Sequence, residues 1–388
     1  MTLQTYFCPT KLMVGKDVLG QLHDICGRFG KCGMLVMDPF FWNSETHLKI
    51  CELLKDKELC IYVNVRPNPR DTDIDEGAAL CKQQGVQFII ALGGGSAMDS
   101  AKAINVVLCN GGSCWEYTKR AGQRMRKVSH PLVPMIAIPT TAGTGSEITH
   151  YSVITHACDH SKGTIKADAI FPTISLVDAK LMVSMPRKIT ALSGIDAFAH
   201  AFESLIGSQA NAFSELFALK AIRLFIDNIE RVCEYGEDLQ AREQMALCAT
   251  LGGLSITHSP TTLPHGIGQA LSGVCDAPHG GSIAVCMSQV IRWTLPICTE
   301  KFAKVACMFD ASLSTLTVEQ QAAKLPDLLE ALFLKLLKEP LTMRSYGLSE
   351  DKIEVVAELA LSNYKGDVTR HPKIANKEAL VNIIKDCL

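Results

Sequence analysis

The sequence predicts two domains of different class: an α/β N-terminal domain over residues 1–185, and an all-α C-terminal domain over residues 186–388. Three observations predict this. Up to about residue 185, short apolar runs alternate with amphipathic stretches, as in a parallel sheet flanked by helices. Beyond Pro186 the apolar residues recur at helical spacing almost throughout. A chain of 388 residues is also long enough to bury two separate cores.

In chain order, the expected strands are 33–38 (GMLVMD), 60–65 (CIYVNV), 88–92 (FIIAL), 135–141 (MIAIPTT) and 174–178 (ISLVD), with amphipathic segments such as 74–84 between them. Each strand is a short, nearly continuous apolar run, the signature of a strand covered on both faces. The expected helices of the second half include 213–232, 239–258, 318–337 and 351–363, the last capped by Ser349. Gly207, Pro260, Pro326 and Pro340 punctuate them. No internal repeat or low-complexity segment interrupts the pattern.

Composition removes several functions. A net charge of −2 offers no electrostatic footprint for nucleic acid or an anionic membrane. No apolar run reaches 18 residues and no leader-like segment opens the chain, so a cytoplasmic protein is expected. The 16 cysteines are scattered singly from Cys8 to Cys387 without a CxxC pair, which excludes a zinc ribbon or thioredoxin-like motif and suits buried reduced thiols.

The chemistry concentrates in residues 191–280. Asp196 and His200 lie four apart in ALSGIDAFAHAFES, and a helix would put their Cβ atoms roughly 5–6 Å apart on one face. Alone, such a pair is more often a surface contact. Two further histidines, His265 and His279, follow in TLPHGIGQALSGVCDAPHGG. On one straight helix they would stand roughly 21 Å apart, so sharing an ion requires the chain to fold back, with Gly273 and Pro278 as the available breaks. One carboxylate and three imidazoles make a borderline-soft site that suits Fe(II) or Zn(II).

Two loops of the first half suit phosphate and ribose. After the strand FIIAL come Gly93, Gly94 and Gly95, then a helix opening at Ser96 with Asp99 inside it. Glycines let a backbone approach a pyrophosphate, and a helix N-terminus favours its charge, although a bare GGGS can equally be a tight turn. PTTAGTGSEIT, residues 139–149, places Thr140, Thr141, Thr144 and Ser146 around two glycines; an isolated instance would be a hydroxyl-rich turn. Asp38 ends its strand where dinucleotide folds hold the adenosine ribose, and it could also serve as a turn former ahead of Pro39.

Taken together, DA-x-x-HA-x-E, HG followed by PHG fourteen residues on, GGGS-x-x-D and PTTAGTGSE-x-T resemble the iron-containing (group III) alcohol dehydrogenases over nearly the whole chain. The resemblance implies an NAD(H)-dependent alcohol dehydrogenase or aldehyde reductase with a dehydroquinate synthase-like fold, a dinucleotide-binding first domain and a metal-binding second one. It implies a homodimer or higher homo-oligomer, and a divalent ion, Fe(II) before Zn(II), held by Asp196, His200, His265 and His279. The ion would polarise the substrate oxygen while the nicotinamide carries the hydride. It further implies that Asp38, Gly94, Gly95, Ser96, Asp99, Thr140, Thr141 and Thr144 face the cofactor, with Lys162 near the nicotinamide ribose and Lys166 its rival. An aspartate at position 38 favours NAD over NADP.

The chain departs from the family twice. Gln269 stands where many members have a histidine, and His371-Pro372-Lys373 replaces Asn-Pro-Arg. Beside the metal and nicotinamide motifs lie His150, Tyr151, Ile256 and His258, a more polar set than a long alkyl pocket needs. A short aldehyde with a polar or anionic group is therefore expected, of the 1,3-propanediol, lactaldehyde, 4-hydroxybutyrate or sulfoacetaldehyde kind. The alternatives are a dehydroquinate synthase-like lyase, which would not consume NADH over many turnovers, and a non-catalytic nucleotide-binding relative.

Overall fold

The structure, a computed structural model, describes residues 4–119 and 124–388. The chain divides into two compact units, Cys8–Ser184 and Met185–Leu388, and residues 4–7 group with the second.

The first unit runs β1 (Lys11–Val14), α1 (Leu22–Cys26), β2 (Cys32–Met37), α2 (Glu45–Leu53), β3 (Glu58–Tyr62), α3 (Asp71–Gln84), β4 (Phe88–Gly93), α4 (Gly95–Asn110), β5 (Met135–Pro139), β6 (Tyr151–Thr155), β7 (Lys162–Lys166) and β8 (Ile174–Val177). Six strands form one parallel sheet in the order β1-β8-β5-β4-β2-β3. Alternate residues of each strand feed opposite faces. Met34, Val36, Ile89 and Ala91 pack with Ile74, Ala78 and Ile104 on one side, while Leu35, Ile90 and Leu92 pack with Leu22, Ile25 and Ile50 on the other. Both faces being covered, the continuous apolar runs become parallel strands.

Three differences from the sequence reading have local causes. β3 occupies Glu58–Tyr62 rather than 60–65, because this edge strand pairs only with β2, whose register with it ends at Val36 opposite Tyr62. β1 was not expected; it is a four-residue edge strand, half exposed and too short for periodicity. β6 and β7, also unexpected, make a separate antiparallel hairpin, and β7 (KGTIK) carries two lysines and a glycine.

The second unit is helical: α5 (Arg187–Ile206), α6 (Ala212–Glu234), α7 (Leu239–His258), α8 (Leu263–Cys275), α9 (His279–Phe309), α10 (Val318–Leu337), α11 (Ile353–Ser362), α12 (Lys365–Arg370) and α13 (Lys377–Lys385). α6 and α10 begin with capping boxes, Asn211 with Ser214 and Thr317 with Gln320, which satisfy the first free amides. Pro326 sits inside α10 rather than ending it. Ser349 precedes a short turn, Glu350–Lys352, before α11 and makes no side-chain capping bond. Among the described residues no helix is long and apolar enough to cross a membrane.

Candidate metal centre and nucleotide loops

α5 is buried almost all round, and from it Asp196 and His200 project together. His265 comes from the first turn of α8 and His279 is the first residue of α9. The chain reverses between these helices at Asp276, whose φ of 51° is left-handed, and at Pro278; Gly273, an expected break, lies within α8. Close helix approach brings the ligands in. A Cβ on Gly280 would stand 2.2 Å from the carbonyl of Leu192 on α5, and one on Gly268 would stand 2.9 Å from that of Ser282 on α9.

Asp196 Oδ1 lies 3.7 Å from His200 Nε2, 3.8 Å from His265 Nε2 and 3.6 Å from His279 Nε2. All four donor atoms fall within 4.8 Å of one another. Tetrahedral bonds of about 2.1 Å would set donors about 3.4 Å apart, so the cluster is slightly wider than a closed four-coordinate site. Asp196 Oδ1 and His265 Nε2 are buried and bond to no protein group, and leaving such atoms unsatisfied is costly. A divalent cation satisfies both, so the residues fit the ion. Burial opposes ionisation of Asp196, but the His200, His279 and His265 rings outweigh it and hold the carboxyl below its ordinary range. His279 alone keeps 33% of its side chain accessible.

Beside this cluster is a residue that the sequence reading quoted in its motif but gave no role. Glu203, wholly buried on α5, accepts a 2.5 Å hydrogen bond from His265 Nδ1. The signal was available: a glutamate one turn beyond His200, within the apolar run IDAFAHAFESLI.

The nucleotide-loop candidates gather at the C-terminal ends of adjacent strands in the first unit. Gly94 occupies the N-cap of α4, and the helix opens at Gly95, one residue before the expected Ser96. A Cβ on Gly94 would stand 3.1 Å from Thr141 Oγ1, so the two loops touch. The Thr140 amide donates to the carbonyl of Gly93. Asp38 lies at the end of β2, where its Oδ1 accepts from the Phe40 amide and caps the turn Pro39–Phe41.

Asp99 gives both carboxylate oxygens to the protein: one accepts from Ser146 Oγ at 2.7 Å and the other from the Val153 amide at 2.9 Å. Next to it, buried Lys102 donates to the carbonyls of Ser146, Thr149 and Tyr151 at 2.6, 2.9 and 2.9 Å. Burial pulls its ammonium down to about 8, against the pull of Asp99 and Glu147.

Lys162 is buried on β7 and donates to Asn68 Oδ1 at 2.8 Å, whereas Lys166 lies over the ring of half-buried Tyr151. In the helical unit Ile256 is buried near the end of α7. Both ring nitrogens of His258 are engaged there: Nδ1 donates to the Leu254 carbonyl, Nε2 accepts from the Phe7 amide, and Tyr6 stacks on the ring at 4.7 Å. Gln269 is buried one turn from His265 on α8. In the His371-Pro372-Lys373 segment, Lys373 donates to the Trp293 carbonyl, and His371 is buried with Nε2 2.8 Å from Thr294 Oγ1.

Known proteins match at full length. The family model for iron-containing alcohol dehydrogenase matches residues 9–179, and the model for the Fe-containing alcohol dehydrogenase family, C-terminal, matches residues 190–388. The NAD-dependent methanol dehydrogenase of Bacillus methanolicus is 30% identical over 389 residues, covering 100% of both chains. The 1,3-propanediol dehydrogenase of Klebsiella pneumoniae is 32% identical, covering 84% of this chain and 83% of that one. Sulfoacetaldehyde reductase from Bifidobacterium kashiwanohense, solved in complex with NAD+, superposes with a TM-score of 0.85 at 25% identity, covering 100% of this chain and 99% of that one. With both halves matched in order, and the ligand cluster assembled from the three helices that carry its motifs, the chain belongs to the iron-containing alcohol dehydrogenase family.

Proposed function

We propose that this chain is an NAD(H)-dependent alcohol dehydrogenase and aldehyde reductase acting on a short substrate that carries a polar or anionic group. The observation that carries the reading is the convergence of Asp196, His200, His265 and His279 on one point. When bound, a divalent ion, Fe(II) before Zn(II), polarises the alcohol or carbonyl oxygen, and the nicotinamide carries the hydride. The protein's own groups do the rest. Asp196 supplies the negative charge of the ligand set, and the three imidazoles complete it.

At the nucleotide, the amides of Gly94, Gly95 and Ser96 at the start of α4 receive the pyrophosphate, and Asp38 accepts the adenosine ribose hydroxyls. Thr140, Thr141, Thr144 and Lys162 serve the nicotinamide side, and Asp99 serves it by fixing the second loop. Tyr151 and Ile256 contribute substrate-side surface; His258, its nitrogens already bonded, contributes packing alone. Two of the relatives above are named for 1,3-propanediol and sulfoacetaldehyde, which carry a second polar group beside the reacting one.

A panel of short aldehydes with NADH and with NADPH, run on protein reconstituted anaerobically with Fe(II) and separately with Zn(II), tests the reading. Net NADH consumption over many turnovers, fastest with polar aldehydes, is expected. Product formation without net NADH loss would point to lyase chemistry instead, and no turnover or nucleotide binding with metal restored would sink the enzyme reading. Light scattering tests the expected homodimer or larger homo-oligomer.

A further inference from the structure

We propose that Glu203 is the positioning residue of the metal centre: it fixes the ring of His265 and supplies the second buried negative charge that balances a divalent ion, without itself reaching the cluster. The proposal rests on the metal-dependent reading above.

The carboxylate is fully buried and its oxygens divide the work. Oε1 accepts from His265 Nδ1 at 2.5 Å. An imidazole that donates from Nδ1 carries its free lone pair on Nε2, the atom that lies 3.8 Å from Asp196 Oδ1. Oε2 accepts from the Thr262 amide at 2.7 Å, from Thr262 Oγ1 at 3.1 Å and from the His265 amide at 3.4 Å. Thr262 is the N-cap of α8 and makes no side-chain capping bond of its own, so Glu203 caps that helix from α5. One carboxylate therefore sets the start of the helix that carries His265 and the rotation of the ring upon it.

The charge count agrees with this geometry. Asp196 and Glu203 are two carboxylates on one helix, both buried, beside three imidazoles. With the rings neutral, two negative charges match the two positive charges of an Fe(II) or Zn(II) ion, which is how a dry site holds a dication at low cost. A glutamine at 203 breaks the arrangement in either orientation. With its amide nitrogen towards His265, it demands an acceptor at Nδ1 and moves the ring proton to Nε2; with the nitrogen towards Thr262, donor faces donor.

The test is the Zn(II) affinity of metal-free protein, measured by competition with a chromophoric chelator for wild type, Glu203→Gln and Glu203→Asp, alongside NADH binding by fluorescence and apo-protein melting. Losing a partner that orients a ligand imidazole costs about 10- to 100-fold in metal affinity. Glu203→Gln is expected to weaken Zn(II) by that amount with NADH binding unchanged, and Glu203→Asp, which keeps the charge, to recover part of the loss. Wild-type Zn(II) affinity in Glu203→Gln, or equal loss in both variants, would overturn the proposal. If Glu203→Gln does not fold, Glu203→Asp carries the test, and wild-type affinity there overturns it. Failure of the wild-type protein to bind Zn(II) at all would instead sink the underlying metal-site reading.

Discussion

The side chain of Thr144 fills the space that a Cβ on Gly95 would need: such an atom would stand 2.7 Å from Thr144 Cγ2 and 3.1 Å from its Oγ1. If this contact shapes a pyrophosphate cradle, Gly95→Ala must push the second loop off the first turn of α4. NADH affinity should fall by about tenfold or more, equivalent to about 1.4 kcal/mol. Truncating the neighbour as well, in Gly95→Ala/Thr144→Ala, should recover part of that loss, because residues in contact are coupled. Fluorescence titration of Gly95→Ala, Thr144→Ala and Gly95→Ala/Thr144→Ala against wild type measures it, and strict additivity would mean that the two loops do not act together.

Asp38 holds the turn after β2 through the Phe40 amide and leaves a carboxylate at the C-terminal end of the sheet. Facing the two hydroxyls of an adenosine ribose it gains hydrogen bonds, whereas a 2′-phosphate meets it as a like charge. A strong NADH preference is expected, and Asp38→Gly should weaken NADH while improving NADPH. The ratio of kcat/KM for the two cofactors should therefore move by more than either value alone. An unchanged ratio would leave Asp38 as the cap of a turn and nothing more.

Much of this was legible in the chain because it is local. The four-residue spacing of Asp196 and His200 already fixes one helix face, and the fourteen-residue spacing of His265 and His279 requires a reversal. The structure makes that reversal with Asp276 in the left-handed region, where an aspartate is tolerated, rather than with Gly273. α7 and α10 have the bounds that apolar periodicity gives them. What was not legible depends on partners distant in sequence. His258 reads as a polar neighbour of the motifs until Phe7, 251 residues away, donates to it. Asp99 stands in its motif in plain view, but that its two oxygens accept from Ser146 and Val153 emerges only when the second loop folds against α4. Glu203 stood in plain view, but its role requires α8 to arrive with His265.

His279 separates metal binding from nucleotide binding. It opens α9 and is the most accessible of the four ligand side chains, so Ala is accommodated there without a buried cavity. His279→Ala should lower bound metal and reduce turnover by on the order of a hundredfold or more, since even loss of a group outside the ligand shell costs about 10- to 100-fold. NADH binding should survive, because the nucleotide loops belong to the Cys8–Ser184 unit. Elemental analysis and fluorescence titration on one preparation give both readouts. Full metal content with full activity would remove His279 from the ligand set.

His371 should make the helical unit sensitive to acid. Thr294 Oγ1 donates to the Val290 carbonyl, so it accepts from His371 Nε2–H, which leaves Nδ1 buried and bonded to no protein group. Burial holds the imidazole neutral and pulls its pKa down to about 4, with Lys373 adding to the depression and Glu203 opposing it. An unfolded histidine titrates near 6.5. Between these values the unfolded chain binds a proton that the folded chain refuses, so stability rises with pH. The contribution is fully present above about pH 7 and is lost as pH falls from about 6.5 towards 4. At about 1.4 kcal/mol per unit, lowering the pH from 7 to 5 should cost about 2 kcal/mol through this group. Asparagine at 371 can still donate to Thr294 but has no proton to gain. In urea unfolding of the two proteins at both pH values, followed by tryptophan fluorescence, the drop from pH 7 to pH 5 should be smaller by about that amount in His371→Asn. An equal drop in both would mean that His371 is protonated in the folded protein and that its proton-free nitrogen has a partner.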